Sequence, residues 1–299
     1  MGGEKPFSYE PPPEKRFAVS PDAYSRERVR VLTETRKELE QEFGIPIAFS
    51  LFGSLSKGKQ LTEESAPESD VDLTLFLDID ALEQNAARLF SAGGPLESAY
   101  VTILREEKMF AAMQMSPREH WERTGLPLSA YTPLLQQDVP TRARWLSAKR
   151  VACAKVEERL MEAETGYDDI ASDVYALPIA MTGPHSVAGV LEKMFLLPPR
   201  GGVVSREMRA FQNHIARFFH LEVGGGLKKY RQAFLRELAL ADPAHAEQQW
   251  QIVRKAMEET ERPKTQLGDA LQTQYPETLH DALAYYGVDL ANRESDKAA

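Results

Sequence analysis

The sequence predicts an α+β fold, in which a small mixed β-sheet with flanking helices is followed by a mostly helical second half. Two short apolar runs, at 47–52 and 73–77, have the length and the turn boundaries of strands. From residue 148 onward, apolar residues recur at helical spacing between Gly- and Pro-rich breaks. The predicted organisation is a flexible segment at 1–20, a sheet-containing domain at 21–147, a helical domain at 148–290 and a flexible tail at 291–299.

The first predicted element is a helix that begins after Asp22 and ends at Gly44. Asp in the first turn and Gly just past the last turn are ordinary helix start and stop signals. The apolar residues between them follow roughly helical spacing: Val29, Leu32, Leu39 and Phe43. We therefore expect an amphipathic helix that leads into the first strand.

The two predicted strands carry the most informative residues. The first strand ends in the turn Gly53-Ser54, and a polar loop leads to Asp70-Val71-Asp72 at the start of the second strand. Side chains at i and i+2 of a strand share a face, so we expect Asp70 and Asp72 to project together. Adjacent carboxylates repel each other unless a cation lies between them, and Mg²⁺ is a hard ion that carboxylates bind.

This arrangement resembles the signature of the DNA polymerase beta-type nucleotidyltransferase superfamily. Its members include poly(A) polymerases, CCA-adding enzymes, aminoglycoside nucleotidyltransferases and the small nucleotidyltransferases of toxin–antitoxin pairs. The resemblance covers residues 25–147, less than half of the chain. It implies an enzyme that uses Mg²⁺ and an NTP, with Asp70 and Asp72 as the catalytic, metal-binding residues.

The resemblance also implies where the triphosphate binds. Gly53 permits close approach of the backbone, and the Ser54 hydroxyl is a hydrogen-bond donor for a phosphate oxygen. Lys57 and Lys59 follow in the same loop, where each either contacts a phosphate or belongs to a solvated turn. The loop continues through 60–68, which is acidic and is expected to be a surface insertion, with a flap or a substrate contact as the alternatives.

Two features depart from the pattern of the family: the loop between Ser54 and Asp70 is longer than in its compact members, and a third acid is missing. Active members usually carry a third carboxylate on a later strand, which we expect at 100–104 or 110–115, two apolar runs that predict a hairpin. Neither run contains an acid, and the acids nearby or further along are Glu97, Glu106, Glu107, Asp138 and Asp173. A second Asp-x-Asp, formed by Asp78 and Asp80, lies where a strand gives way to a helix, and helix capping explains it.

Composition excludes several classes of protein. The chain has 299 residues, a formal net charge of −9 and one cysteine, so no internal disulfide can form. The acidic balance argues against a protein that coats nucleic acid without specificity. The sequence contains no signal peptide and no long apolar segment, which predicts a soluble cytoplasmic protein without membrane contact.

The second half is predicted to be helical, with one basic segment. The helices are expected near 148–164, 170–182, 186–196, 205–222, 228–240, 244–260 and 277–286. The segment 200–236 contains eight Lys or Arg and two Glu, with aromatic residues between them. Such a segment either binds a polynucleotide or is an amphipathic helix pair with a solvated basic face.

The predicted function is therefore Mg²⁺-dependent nucleotidyl transfer to a hydroxyl acceptor. The basic segment favours an RNA end, with tRNA-like substrates first. The alternatives are a small-molecule hydroxyl such as that of an antibiotic, a protein side chain as in toxin–antitoxin pairs, and a catalytically inactive regulatory relative. The nucleotide and the oligomeric state are left open.

Overall fold

The computed structural model describes residues 19–56, 58, 60–115, 119, 134, 137–163, 172–180, 212–213, 215–241, 243–260 and 275–291. Elements within these ranges are numbered in chain order. The helices are α1 (Ala23–Phe43), α2 (Gly53–Ser56), α3 (Ile79–Gln84), α4 (Ala86–Phe90), α5 (Glu97–Ala112), α6 (Val139–Glu162), α7 (Lys228–Ala241), α8 (Ala246–Thr260) and α9 (Leu279–Tyr285). The strands are β1 (Ile47–Phe52), β2 (Val71–Asp78), β3 (Ser172–Ile179) and β4 (Leu221–Val223). Within the same ranges, no helix has the length and apolarity to cross a membrane.

The four strands form one mixed sheet in the order β3-β2-β1-β4. β1 is antiparallel to both β2 and β4, whereas β2 and β3 are parallel. The α+β class with a mixed sheet is therefore confirmed. β3 and β4 come from beyond residue 147, and the predicted domain boundary at that residue falls inside α6.

The predicted hairpin, with strands at 99–104 and 109–115, is wrong, because the single helix α5 runs through both predicted strands as far as Ala112. Its Ala, Leu, Met, Glu, Lys and Arg residues all have high helix propensity. The charged stretch 105–108 lacks the Gly, Pro, Asn or Asp that tight turns use. Glu107 in that stretch is buried, and Arg142 of α6 donates a hydrogen bond to it at 3.0 Å.

The predicted helix at 170–182 is also wrong over its described part, where β3 lies. Val174, Tyr175 and Ile179 favour a strand. Pro178 is tolerated because β3 is the end strand among those described, so its missing N–H interrupts no second ladder. The predicted helix at 205–222 is wrong at its end, where β4 begins at Leu221, and the predicted helix at 186–196 lies outside the described residues.

The other helical predictions are confirmed as α1, α7, α8 and α9, within a few residues at their ends, and as α6, which begins nine residues before the predicted start at 148. Asp22 caps α1 by accepting a hydrogen bond from the Ser25 N–H at 2.7 Å. Gly44 ends α1 with a φ of 59°, and its N–H donates to the Glu40 carbonyl. α1, α6 and the sheet share one hydrophobic core.

The loop between β1 and β2 is anchored to α1. Arg28 donates to the Ala66 carbonyl at 2.9 Å, and the Asp22 carboxylate accepts from the Leu61 N–H at 3.2 Å. Leu61 and Ala66 are themselves buried. These contacts hold the loop against α1, so they favour a surface insertion over a flap.

Candidate metal centre

Three acidic side chains meet at one edge of the sheet, where β1 ends and β2 and β3 begin. Phe52 pairs with Asp72 across the antiparallel ladder, and Asp72 pairs with Asp173 across the parallel one. Asp70 precedes β2 by one residue. One carboxylate oxygen from each of Asp70, Asp72 and Asp173 lies within 4.8 Å of the other two. The structure therefore brings the predicted pair together and adds a third acid.

The chemistry of this donor set fits Mg²⁺. All three ligands are carboxylate oxygens, which hard divalent cations prefer. Ligands of an octahedral Mg²⁺ lie about 3.0 Å apart when adjacent and about 4.2 Å apart when opposite, from its bond length of about 2.1 Å. The separations of the three oxygens, all within 4.8 Å, are of this order. Asp70 and Asp72 are half-buried and Asp173 is exposed, so the cluster is open to an ion from solvent.

Gly53 lies in direct contact with this cluster. Its φ is 71°, in the left-handed region that favours glycine. A Cβ at this position would lie 1.7 Å from Asp72 Oδ2 and 2.6 Å from Asp72 Cγ. The turn after β1 therefore requires glycine for two reasons. Its backbone has a positive φ, and the Asp72 carboxylate occupies the space that a side chain would need.

Ser54 lies in the same turn, and its hydroxyl is 3.1 Å from the hydroxyl of Ser69. Ser69 immediately precedes Asp70, so this contact joins the turn after β1 to the start of β2. Ser56 donates to the Gly53 carbonyl at 3.0 Å and closes the short helix α2. Lys57 and Lys59, the other two predicted phosphate ligands, lie outside the described residues.

The second Asp-x-Asp caps a helix, as predicted. Asp78 is the N-cap of α3 and accepts a hydrogen bond from the Ala81 N–H at 3.1 Å. Its other carboxylate oxygen accepts a hydrogen bond from the Tyr230 hydroxyl. Burial and the neighbouring Asp78 carboxylate raise the pKa of Tyr230. The Tyr230 hydroxyl therefore stays protonated and is the donor of this hydrogen bond. Asp78 thus joins β2 to α7 and is not part of the carboxylate cluster.

Most of the other candidates for the third acid have structural roles. Glu97 accepts a hydrogen bond from the Gly93 N–H at 2.7 Å. Glu107 is paired with Arg142, and Asp138 caps α6 by accepting from the Thr141 N–H at 2.8 Å. Glu106 lies exposed on α5. Asp173 alone among these five joins Asp70 and Asp72.

Arg217 is a second residue beside the cluster that the motif does not include. Its guanidinium carbon lies 4.2 Å from the centre of the Phe52 ring and 4.4 Å from that of Tyr175. Burial lowers the pKa of Arg217. The nearby Tyr175, Asp72 and Asp173 act in the opposite direction. The sequence marks this residue only as one of several bases in 200–236, and no local pattern distinguishes it.

The described part of the basic segment is largely internal. Phe218, Phe219 and Tyr230 are buried core residues. Arg231 is buried, forms an ion pair with Glu222 at 2.8 Å and donates to the Phe218 and His220 carbonyls. Lys228 and Lys229 are exposed. The aromatic residues described here therefore belong to the core and do not form a surface on which bases stack.

Comparisons of the chain with protein-family models, with curated proteins and with solved structures give no match.

Proposed function

We propose that the protein is a nucleotidyltransferase that moves a nucleoside monophosphate from an NTP to a hydroxyl acceptor. The observation that carries this proposal is the cluster of Asp70, Asp72 and Asp173 against the Gly53 turn. Mg²⁺ held by these three carboxylates would supply positive charge to the α-phosphate as negative charge develops there. The third acid on a neighbouring strand is the feature that an active member of the superfamily needs.

In the proposed reaction, the acceptor oxygen forms a bond to the α-phosphorus of the NTP. The bond from that phosphorus to the bridging oxygen of the β-phosphate breaks, and pyrophosphate leaves with the electron pair. The acceptor hydroxyl loses its proton, and Asp173 is assigned as the base because it is the exposed member of the cluster. Ser54 is assigned to donate a hydrogen bond to a phosphate oxygen from the turn that Gly53 forms.

The choice of acceptor depends on the basic segment. An RNA end is the acceptor that this segment predicts, and a small-molecule hydroxyl is the main alternative, ahead of a protein side chain. Because Arg231 is committed to internal contacts, Lys228 and Lys229 are the exposed described bases that an RNA backbone would contact. The inactive regulatory alternative depended on the absence of a third acid, and the position of Asp173 removes that argument.

The test is an incubation of the protein with each α-labelled NTP, Mg²⁺ and three acceptor pools: total RNA, lysate protein and aminoglycosides. We expect label to enter one pool with wild type and none with Asp72→Asn. An absence of labelling with every NTP and every pool would contradict the proposal.

RNA affinity at several salt concentrations then addresses the acceptor. If RNA is the acceptor, replacing Lys228 and Lys229 by Gln should reduce the log–log salt slope by about one unit for each phosphate that a lysine neutralises in wild type. Equal slopes in the two proteins would exclude these lysines from an RNA surface and place a small-molecule acceptor first.

A further inference from the structure

Arg217 lies beside two neighbouring aromatic rings, Phe52 and Tyr175, whose strands also carry the cluster. Phe52 pairs with Asp72, and Tyr175 follows Asp173 by two residues on the same face of β3. Stacking against aromatic faces stabilises a guanidinium and leaves its N–H groups, which lie in the plane of the group, directed sideways. The two ring centres are 5.8 Å apart, so the rings flank the guanidinium at roughly a right angle and hold the positive charge in place.

Two of the N–H donors of Arg217 lack a hydrogen-bond partner in the described part of the chain, as do Nε and Nη1 of Arg28, whose Nη2 donates to the Ala66 carbonyl. Nε and Nη1 of Arg217 are buried and have no hydrogen-bond partner among the described residues. Arg231, in the same part of the chain, contrasts with it through an ion pair and two bonds to backbone carbonyls. Burial of a charge without hydrogen bonds is energetically costly. Packing alone therefore does not explain why an arginine occupies position 217.

The charges around Arg217 change when the cluster binds a cation. Without a cation, the carboxylates of Asp72 and Asp173 attract the guanidinium. A divalent cation bound by the same carboxylates offsets their charge, so the attraction weakens and the positive charge becomes available to an incoming anion. The same residue therefore opposes binding of the cation alone and favours binding of an anion beside that cation.

We propose that Arg217 is the anion-binding partner of the metal centre, and that it takes a phosphate group of the substrate next to the bound cation. This inference rests on the proposed function and assigns Arg217 to a phosphate group of the NTP other than the one held by the cation. It assigns to the second half of the chain a residue that binds substrate phosphate, whatever the acceptor is.

The test compares wild type with Arg217→Met, which removes the charge but keeps an unbranched chain beside the two rings. Lys255→Met is the control, since it removes one exposed positive charge from α8 in the same half of the chain. Two affinities are measured, that for Mn²⁺ alone and that for inorganic tripolyphosphate at saturating Mg²⁺. Thermal unfolding of each variant checks that it is folded.

We expect the two affinities of Arg217→Met to move in opposite directions. Mn²⁺ should bind about three- to tenfold more tightly, because a neighbouring positive charge is gone. Tripolyphosphate should bind about ten- to a hundredfold more weakly, because the variant cannot form a charge-assisted hydrogen bond. Lys255→Met should match wild type in both measurements.

An unchanged tripolyphosphate affinity in Arg217→Met would overturn the inference while leaving the metal centre in place. A wild-type protein that binds no Mn²⁺ would instead contradict the proposed function on which the inference rests. If Arg217→Met does not fold, Arg217→Gln decides, because Gln removes the charge and keeps a polar side chain. Weaker tripolyphosphate binding by Arg217→Gln would support the inference, and unchanged binding would overturn it.

Discussion

Gly53→Ala should separate the metal centre from the stability of the fold. Gly53 has a φ of 71°, and an added Cβ would lie 1.7 Å from Asp72 Oδ2 and 3.0 Å from Asp72 Cβ. The shorter distance is far below van der Waals separation, so the Asp72 side chain must rotate away or the turn must move. Rotation requires the least rearrangement, because the nearest atom belongs to the outer end of a side chain. The carboxylate would then leave the cluster.

The expected magnitudes differ for stability and for metal binding. An alanine held in the left-handed region costs about 1–2 kcal/mol of unfolding free energy. Loss of a group that only supports a metal ligand costs about 10- to 100-fold in metal affinity, and displacement of a ligand itself should cost at least as much. We therefore expect a mildly destabilised protein that has lost most of its affinity for Mn²⁺.

Gly93→Ala is the matched control for this experiment. Gly93 has a φ of 82°, but an added Cβ there meets no atom within 4 Å. It should cost a similar amount in urea unfolding and leave Mn²⁺ binding, measured by titration calorimetry, unchanged. Wild-type Mn²⁺ affinity in Gly53→Ala, or an equal loss of affinity in both variants, would refute the proposed role of this turn.

Three further predictions concern single residues. Asp173→Asn should not lower the unfolding free energy in urea, because it removes a repelling charge, yet it should abolish labelling of the acceptor; retained labelling would contradict its assignment as the base. Tyr230→Phe should cost about 1–3 kcal/mol in urea unfolding, because it removes the partner of buried Asp78, and an unchanged midpoint would contradict this. Burial raises the pKa of Cys153 from 9.0 to about 11, so its contribution to stability is complete below pH 9 and is lost as the pH rises toward 11. Native Cys153 should accordingly react slowly with iodoacetamide at pH 9. Alkylation as fast as that of the protein unfolded in urea would contradict a raised pKa for Cys153.

The local half of the site could be predicted from the sequence. Asp70 and Asp72 are two residues apart at the start of an apolar run, and strand geometry alone places them together. Gly53 could be predicted from its position after β1, although its contact with Asp72 depends on the pairing of Phe52 with that residue. Both inferences depend only on β1, β2 and the loop between them.

The positions of Asp173 and Arg217 in the site could not be predicted in this way. Asp173 reaches the cluster because β3 pairs in parallel with β2, about a hundred residues away in sequence, and no local pattern specifies that register. A signal was nevertheless present in Val174 and Tyr175, which favour a strand directly after an acid. Arg217 depends on two rings from different strands, and sequence reasoning treats it as an ordinary base.

The most direct test of the metal centre is a crystal structure of the protein soaked in Mn²⁺, with anomalous scattering recorded at the manganese edge. We predict one or two anomalous peaks, each marking a manganese ion bound by carboxylate oxygens of Asp70, Asp72 and Asp173. Gly53 should remain in contact with the Asp72 carboxylate. The Asp72→Asn protein, soaked in the same way, should give a weaker peak or none. A well-ordered wild-type structure with these carboxylates in place and no anomalous peak between them would contradict the assignment of a metal centre.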